Sequence, residues 1–199
     1  MLKIIKDKHL FYEYIEKKSK FLVNILYLTN QNSAKQFIEN ISCKHKDASH
    51  NVYAYKIIEN SNEIIKFSDD NEPQNTAGKP IIELIKILDI VNIVVVVTRY
   101  FGGVKLGASN LSRAYAKSVN LCLKKTDFLN YELIHEILIE FDYKREKDIE
   151  KILKEIDVKI YEKIFLNKVV FRISISEKNI AKLKKFNFIK IRDQFGENQ

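Results

Sequence analysis

The fold is decided by the stretch Asn92-Ile-Val-Val-Val-Val-Thr-Arg-Tyr-Phe-Gly-Gly-Val-Lys-Leu-Gly107. Residues 93–97 are β-branched and apolar without polar alternation, which predicts a strand covered on both faces and therefore central in its sheet. Gly102 and Gly103 then break the strand, and a helical pattern opens after Gly107. This order can form a concave, electropositive corner or only a tight turn. We predict that Gly102 or Gly103 adopts a backbone conformation in which a side chain would be strained.

Composition indicates a reduced, cytoplasmic protein with a basic first part. Cys43 and Cys122 lie far apart without metal-ligand spacing. The N-terminal residues alternate charge too tightly for a signal peptide, and no apolar run is long enough to span a bilayer. Of the net charge of +8, residues 1–129 carry +6, from 19 Lys and Arg against 13 Asp and Glu. This excess favours nucleic acid or another polyanion, but the Lys-rich usage of an AT-rich coding sequence explains it equally well.

Hydrophobic periodicity predicts an α+β arrangement for the first part of the chain. Short apolar runs predict strands at residues 11–15, 21–28, 52–58 and 63–67, followed by the central strand. Helical spacing of apolar residues predicts three helices. They are a helix through residues 34–41 capped by Asn32 or Ser33, a helix opened by Asn75 or Thr76 that runs to residue 88, and a helix at residues 108–124.

A composition shift at residues 124–130 predicts a domain boundary, with domains at 1–127 and 130–199. The second part shows strands at residues 133–141, 158–165, 168–176 and 188–192, and helices at residues 144–156 and 177–185. The resulting order, β-α-β-β-α-β, is that of the ferredoxin-like split motif. We expect it to form a separate unit with its helices on one sheet face, followed by a frayed tail at residues 196–199.

Four unusual motifs occur in the first part of the chain. They are Lys20-Phe21, Ala48-Ser-His-Asn-Val-Tyr-Ala-Tyr55, Ser68-Asp-Asp-Asn-Glu-Pro-Gln-Asn-Thr-Ala-Gly-Lys-Pro80 and Thr98-Arg-Tyr-Phe-Gly-Gly-Val-Lys-Leu-Gly107. Together they resemble the signature of the YigZ/IMPACT family. The resemblance covers residues 1–125, and residues 130–199 fit the second domain of bacterial members.

This resemblance implies an N-terminal domain like the second domain of ribosomal protein S5, followed by a ferredoxin-like domain similar to domain V of elongation factor G. Eukaryotic relatives regulate translation by interfering with a kinase that senses uncharged tRNA. For bacterial members the family implies a link to translation or nucleic acid and no assigned catalytic residue. Fold similarity alone does not establish a function.

The residues around the glycine corner offer a candidate site for nucleic acid or phosphate. Arg113 and Lys117 share one face of the predicted helix, and Arg99 and Lys105 could extend them into a partly exposed basic strip beside Gly102, Gly103 and Gly107. Tyr100 and Phe101 could offer a stacking surface, with phosphates supplying the affinity. The alternative is a solvated helix face with both aromatic side chains in the core.

The acidic turn Asp69, Asp70 and Glu72 has several interpretations. Its carboxylates could bind a divalent cation, serve acid/base chemistry, close a turn on the backbone, or pair with Arg99 or Lys105. His50 could be a hydrogen-bonded strand residue or a ligand contact. No metal site is predicted, since the histidines lack the spacing of a zinc motif and the acidic turn lacks that of an EF-hand loop.

These observations favour a non-enzymatic, cytoplasmic binding protein associated with translation regulation, whose partner is RNA or a ribosome-related ribonucleoprotein. No cofactor and no membrane contact are predicted. The alternative is an enzyme or binding protein for a small phosphorylated ligand held at the loop of residues 102–107. S5-like folds also occur in small-molecule kinases that hold phosphate in a glycine loop, which keeps this alternative open.

Overall fold

The computed structural model describes residues 1–60, 62–156, 158–183 and 188–197. The chain divides into two compact units, Met1–Asn130 and Tyr131–Gln199. Both units combine helices with antiparallel sheets, so the α+β class predicted from sequence is confirmed. Among the residues described, no helix is both long and apolar enough to cross a membrane.

The first unit is built on one antiparallel sheet. Its chain contains the strands β1 (Lys3–Ile5), β2 (His9–Glu16), β3 (Ser19–Tyr27), β4 (His50–Glu59), β5 (Asn62–Ser68) and β6 (Ile93–Tyr100). Five of these form the sheet in the order β2-β3-β6-β4-β5. β6 pairs with β3 on one side and β4 on the other, and residues 93–99 are all buried. The predicted central strand is therefore confirmed.

Helices cover both faces of this sheet. The helices are α1 (Gln31–Lys44), α2 (Gly78–Ile87) and α3 (Ala108–Leu123). Buried residues of α2 and α3 form one core with Val95 and Val97 of β6, whereas α1 packs on a second core that contains Val94. Because successive strand residues point to opposite faces, a strand between two cores must be apolar throughout.

Two helix starts differ from the sequence-based predictions. α1 is capped by Asn30, whose side chain accepts a hydrogen bond from the Ser33 backbone N–H at 2.8 Å, so the predicted cap at residues 32–33 is wrong. α2 begins at Gly78 rather than at Asn75 or Thr76. Asn75 has φ of 63°, a left-handed conformation that a right-handed helix cannot include.

The first unit also contains a strand pair that the periodicity did not predict. β1 pairs antiparallel with residues 128–130, which begin β7 (Phe128–Phe141). Ile4 and Ile5 are almost completely buried. The three-residue strand is too short to show alternation, which is why its pattern alone gives no strand signal.

The second unit has the element order β-α-β-β-α-β. After β7 come α4 (Glu146–Glu155), β8 (Lys159–Phe165), β9 (Val169–Ser176), α5 (Glu177–Ile180) and β10 (Phe188–Glu197). The strands pair in the order β10-β7-β9-β8. Alternate residues of β7 and β9 join Ile149 and Leu153 of α4 in one core, so that helix packs on one sheet face.

Two details of the second unit depart from the sequence-based boundaries. The predicted helix at residues 177–185 is a short α-helix followed by a single 3-10 turn, Ala181–Leu183, and residues 184–185 lie outside the described residues. The predicted frayed tail begins too early, because Gly196 and Glu197 still pair with β7. Residues 198–199 lie outside the described part of the chain.

Candidate functional site

The glycine corner after β6 is shaped by two different constraints. Gly103 and Gly107 have φ of 82° and 78°, conformations that side chains rarely adopt. Gly102 instead lies against the turn between β2 and β3, where an added Cβ would fall 2.0 Å from the carbonyl carbon of Lys18. The prediction that Gly102 or Gly103 adopts a backbone conformation in which a side chain would be strained is confirmed by Gly103. The corner therefore depends on glycine for its shape.

Arg99 occupies the buried end of β6 and hydrogen-bonds to two other segments. Its Nη1 donates to Glu72 Oε1 at 2.6 Å, and its Nη2 donates to the Ser19 hydroxyl at 3.3 Å. Tyr115 of α3 donates its hydroxyl to the same Glu72 oxygen at 2.7 Å. The expectation that Arg99 is partly exposed is wrong, since the residue is only 5% exposed. Its side chain lies on the face of β6 that is covered by α3.

Burial controls the charge states within this cluster. Desolvation raises the pKa of the Tyr115 hydroxyl well above its usual range, and the negative charge of Glu72 raises it further. Tyr115 therefore stays protonated and acts as a hydrogen-bond donor at neutral pH. Arg99 and Glu72 compensate each other's charge in a place where a single charge would be costly.

Asp69 and Asp70 bond mainly to nearby backbone groups. Asp69 accepts from the backbone N–H groups of Asn75, Ala77 and Gly78 at 2.7, 3.0 and 2.8 Å, and Asp70 accepts from the Asn51 N–H. Of the interpretations open from the sequence, closure of a turn on the backbone describes Asp69, whereas Asp70 holds the turn to β4. Glu72 instead pairs with Arg99, which was another of those interpretations. No group of three or more His, Cys, Asp or Glu suited to a metal ion occurs within the described residues.

His50 lies beside the same cluster. In the register of β4 and β6, His50 lies opposite Arg99. Its Nδ1 lies 2.7 Å from the Asp70 carbonyl oxygen. Its Nε2 lies 3.6 Å from Glu72 Oε2, which is close but too long for a hydrogen bond. His50 is thus a hydrogen-bonded strand residue, and its predicted role as a ligand contact stays a prediction.

A cavity of about 360 Å³ opens between the acidic turn, the glycine corner and the start of α3. Its lining combines Arg99, Lys105 and Gly107, which the sequence analysis selected for binding, with Glu72 from the acidic turn. Apolar side chains complete it, including those of Pro73, Phe101, Leu106 and Leu111. The sequence predicted Phe101 as a stacking surface of the site, but gave no sign that Pro73, Leu106 and Leu111 line it.

The remaining predicted cations lie outside this cavity. Arg113 is exposed on α3. Lys117 is also exposed, and its Nζ lies 5.1 Å from the Tyr14 ring centre and 4.0 Å from a Glu16 carboxylate oxygen. The structure therefore brings Arg99, Lys105 and Gly107 together at the cavity and places Arg113 and Lys117 further along the helix. Their binding roles stay predictions.

The two aromatic residues before the glycines have different environments. Tyr100 hydrogen-bonds through its hydroxyl to His45 Nδ1 at 2.9 Å and to Asp47 at 3.1 Å. Phe101 is 49% exposed and lines the cavity, with the Arg99 guanidinium carbon 5.7 Å from its ring centre. The alternative interpretation placed both aromatic side chains in the core. It is wrong for Phe101, whose ring is half exposed.

The fold and the site define an α+β protein with a cavity between a glycine loop and a helix N-terminus. A buried Arg–Glu pair is part of the cavity lining. Residues 17–123 match the Impact N-terminal domain. The chain therefore belongs to the IMPACT family, as its motifs predicted.

Individual relatives agree with this assignment. The chain is 36% identical over 167 residues to the IMPACT family member YvyE of Bacillus subtilis, covering 84% of this chain and 76% of that relative. It is 30% identical over 166 residues to YigZ of Escherichia coli, covering 83% and 81%. A solved structure described as a hypothetical protein matches with a TM-score of 0.64 at 26% identity, covering 96% of this chain and 97% of its own.

Proposed function

We propose that this protein is a non-enzymatic, cytoplasmic binding protein that acts in translation regulation by contacting RNA or a ribonucleoprotein. Membership of the IMPACT family supports the translation context, since the family resemblance implies it. We also propose an S5 domain 2-like fold for residues 1–127 and a ferredoxin-like fold for residues 130–199. The strand order β10-β7-β9-β8, with α4 packed on one face, supports the second assignment.

The observation that carries the RNA proposal is the charge of residues 101–125. This segment contains five basic and no acidic residues, and all five basic residues are exposed: Lys105, Arg113, Lys117, Lys124 and Lys125. Exposed cations on one continuous segment can neutralise successive phosphates of a nucleic acid. Within the part of the chain that the structure describes, Lys117 alone among these five has an acidic partner in range, Glu16 at 4.0 Å.

The state of the carboxylates supports binding rather than catalysis. Acid/base chemistry needs carboxylates that can reach a substrate and exchange protons. Asp69 and Asp70 accept backbone hydrogen bonds, and Glu72 holds Arg99 and Tyr115. These contacts stabilise the corner and leave the exposed cations as its main chemical feature.

Salt-dependent RNA binding tests this proposal. The affinity of the full chain for a short single-stranded RNA should fall steeply with salt, because binding releases counterions. Lys105→Ala and Arg113→Ala should each lower the magnitude of the log-affinity against log-salt slope by roughly 0.7 per lost phosphate contact. Lys117→Ala should have a smaller effect, since Glu16 already shares that charge.

A matched control distinguishes a local site from general basicity. Lys35 is an exposed lysine of α1, which packs on the opposite sheet face from α3. Lys35→Ala removes the same charge and should leave the slope unchanged. Absence of salt-sensitive RNA binding by the wild-type protein would refute the proposal, as would equal slope changes in Lys35→Ala and Arg113→Ala.

A small phosphorylated ligand at the loop of residues 102–107 is the second candidate. It is favoured by the start of α3, where Gly107 is the N-cap and supplies no side-chain acceptor to the first helical N–H groups. Such groups bind phosphate when they are free. Thermal-shift measurements at fixed ionic strength would compare a mononucleotide with inorganic phosphate and with RNA. Stabilisation by the mononucleotide alone would favour this candidate over RNA.

A further inference from the structure

We infer that the cavity beside Phe101 takes an unpaired heteroaromatic base, supplied by a single-stranded nucleic acid or by a free nucleoside. The inference deepens the proposed function and rests on it in one respect, namely that a nucleic-acid strand supplies the base. The cavity measures about 360 Å³, which is at the small end of the range of ligand sites. Pro73, Phe101, Leu106 and Leu111 supply apolar contacts suited to a flat, uncharged ring.

The charged pair in the lining retains two unused hydrogen-bonding positions. Arg99 Nε is buried and has no hydrogen-bond acceptor among the residues that the structure describes. Glu72 accepts hydrogen bonds from both Arg99 and Tyr115 through Oε1. Among the described residues, the one group near Oε2 is His50 Nε2, at 3.6 Å. The lining thus offers one carboxylate acceptor, whereas Arg99 Nε is covered from solvent. The edges of nucleobases carry N–H donors that suit this acceptor.

Charge favours a base over a phosphate inside the cavity. The positive charge of Arg99 is compensated by Glu72 at 2.6 Å, and the Glu72 carboxylate would repel an anion placed beside it. An uncharged base avoids this repulsion and can use the free acceptor. The phosphates of the same strand would then lie outside, on exposed cations such as Lys105 and Arg113.

Phe101 supplies the stacking surface for such a base. Its ring is 49% exposed although it lines the cavity, and single-strand binding proteins place bases on exposed aromatic rings of this kind. Because Phe101 carries no charge, its contribution to binding should not depend on salt. This property separates the base contact from the phosphate contacts of the proposed function.

The test measures the affinity of the full chain for a single-stranded RNA of about 12 nucleotides, within the range of single-strand site sizes. Phe101→Ala should weaken binding by roughly 5- to 150-fold, the equivalent of one lost stacked base, with an unchanged salt slope. Phe101→Tyr should retain most of the affinity. Phe11→Ala is the matched control, since Phe11 is 56% exposed on β2 and does not line the cavity.

Two further probes identify the source of the base. The same RNA in a perfect duplex should bind more weakly than the single strand, because its bases are stacked and paired. Adenosine, guanosine, cytidine and uridine, titrated separately by NMR, should shift signals of the residues around the cavity in wild type and less in Phe101→Ala. Nucleoside binding without RNA binding would support a base site filled by a free nucleoside and would refute the proposed RNA function.

The inference and the proposed function can fail separately. If RNA binds with the expected salt slope but Phe101→Ala binds as tightly as wild type, the base site is refuted and the phosphate contacts stand. Equal weakening by Phe11→Ala and Phe101→Ala would also refute it. If neither RNA nor any nucleoside binds, both proposals are overturned.

Discussion

Replacing Gly102 by alanine should destabilise the first unit more than the same change at Gly103. A Cβ on Gly102 would lie 2.0 and 2.2 Å from the carbonyl carbon and oxygen of Lys18, and 2.4 Å from the Ser19 nitrogen. All three are backbone atoms, so no side chain can rotate away. The turn they belong to is already constrained, since Lys17 and Lys18 have φ of 44° and 68°.

The expected cost follows from two contributions. Forcing backbone apart in a packed region costs about 1–3 kcal/mol. The Gly102 N–H also donates to the Ser19 hydroxyl at 3.2 Å, and losing that hydrogen bond costs about 1 kcal/mol. We therefore expect Gly102→Ala to destabilise the unit by about 2–4 kcal/mol. Gly103→Ala meets no atom within 4 Å and costs only its torsional strain, about 1–2 kcal/mol.

Hydrogen exchange of β6 is the measurement, because β6 is the central strand of the first unit. A loss of about 2–4 kcal/mol accelerates exchange through global opening by roughly 30- to 900-fold. Urea midpoints for both variants provide an independent readout. Exchange in Gly102→Ala that is no faster than in Gly103→Ala would refute the contact argument.

Two other predictions concern the acidic turn and the thiols. Asp69→Ala removes the acceptor of three backbone N–H groups around the start of α2 and should cost about 1–2 kcal/mol, with faster hydrogen exchange in α2 than in α1; equal acceleration in both helices would contradict it. Burial raises the pKa of the Cys122 thiol to about 12, whereas Cys43 is exposed. An aromatic disulfide reagent near neutral pH should therefore titrate one thiol in the native protein and two in urea, and rapid reaction of both native thiols would show that Cys122 is accessible.

The central strand and the glycine corner could be predicted because both are encoded locally. Five consecutive β-branched residues at 93–97 leave no polar face, so two covering layers follow from the side-chain alternation. Gly102 and Gly103 directly follow the strand, and their backbone demands follow from the missing Cβ. The positive φ of Gly103 is such a local demand, whereas the crowding of Gly102 against Lys18 depends on a distant residue.

The features that escaped prediction depend on distant or competing contacts. β1 gains its partner from residues 128–130, more than a hundred positions along the chain, and its three residues carry no periodic signal. The start of α2 is set by Asp69, which holds the N–H groups of Ala77 and Gly78 from the preceding loop. Asn75 was a plausible cap by residue type, but its left-handed conformation places it before the helix.

The candidate site shows why a count of basic residues overestimates the charge available to a ligand. Four cations, Arg99, Lys105, Arg113 and Lys117, would together give a salt slope of roughly 2.8 for a single strand. Arg99 cannot contribute to this salt slope, because Glu72 compensates its charge and the residue is only 5% exposed. The remaining three would give at most roughly 2.1, because Glu16 lies 4.0 Å from the Lys117 ammonium and shares its charge. A phosphate contact therefore needs a basic residue that is also exposed, whereas the buried Arg99 pairs with Glu72 and lines the cavity.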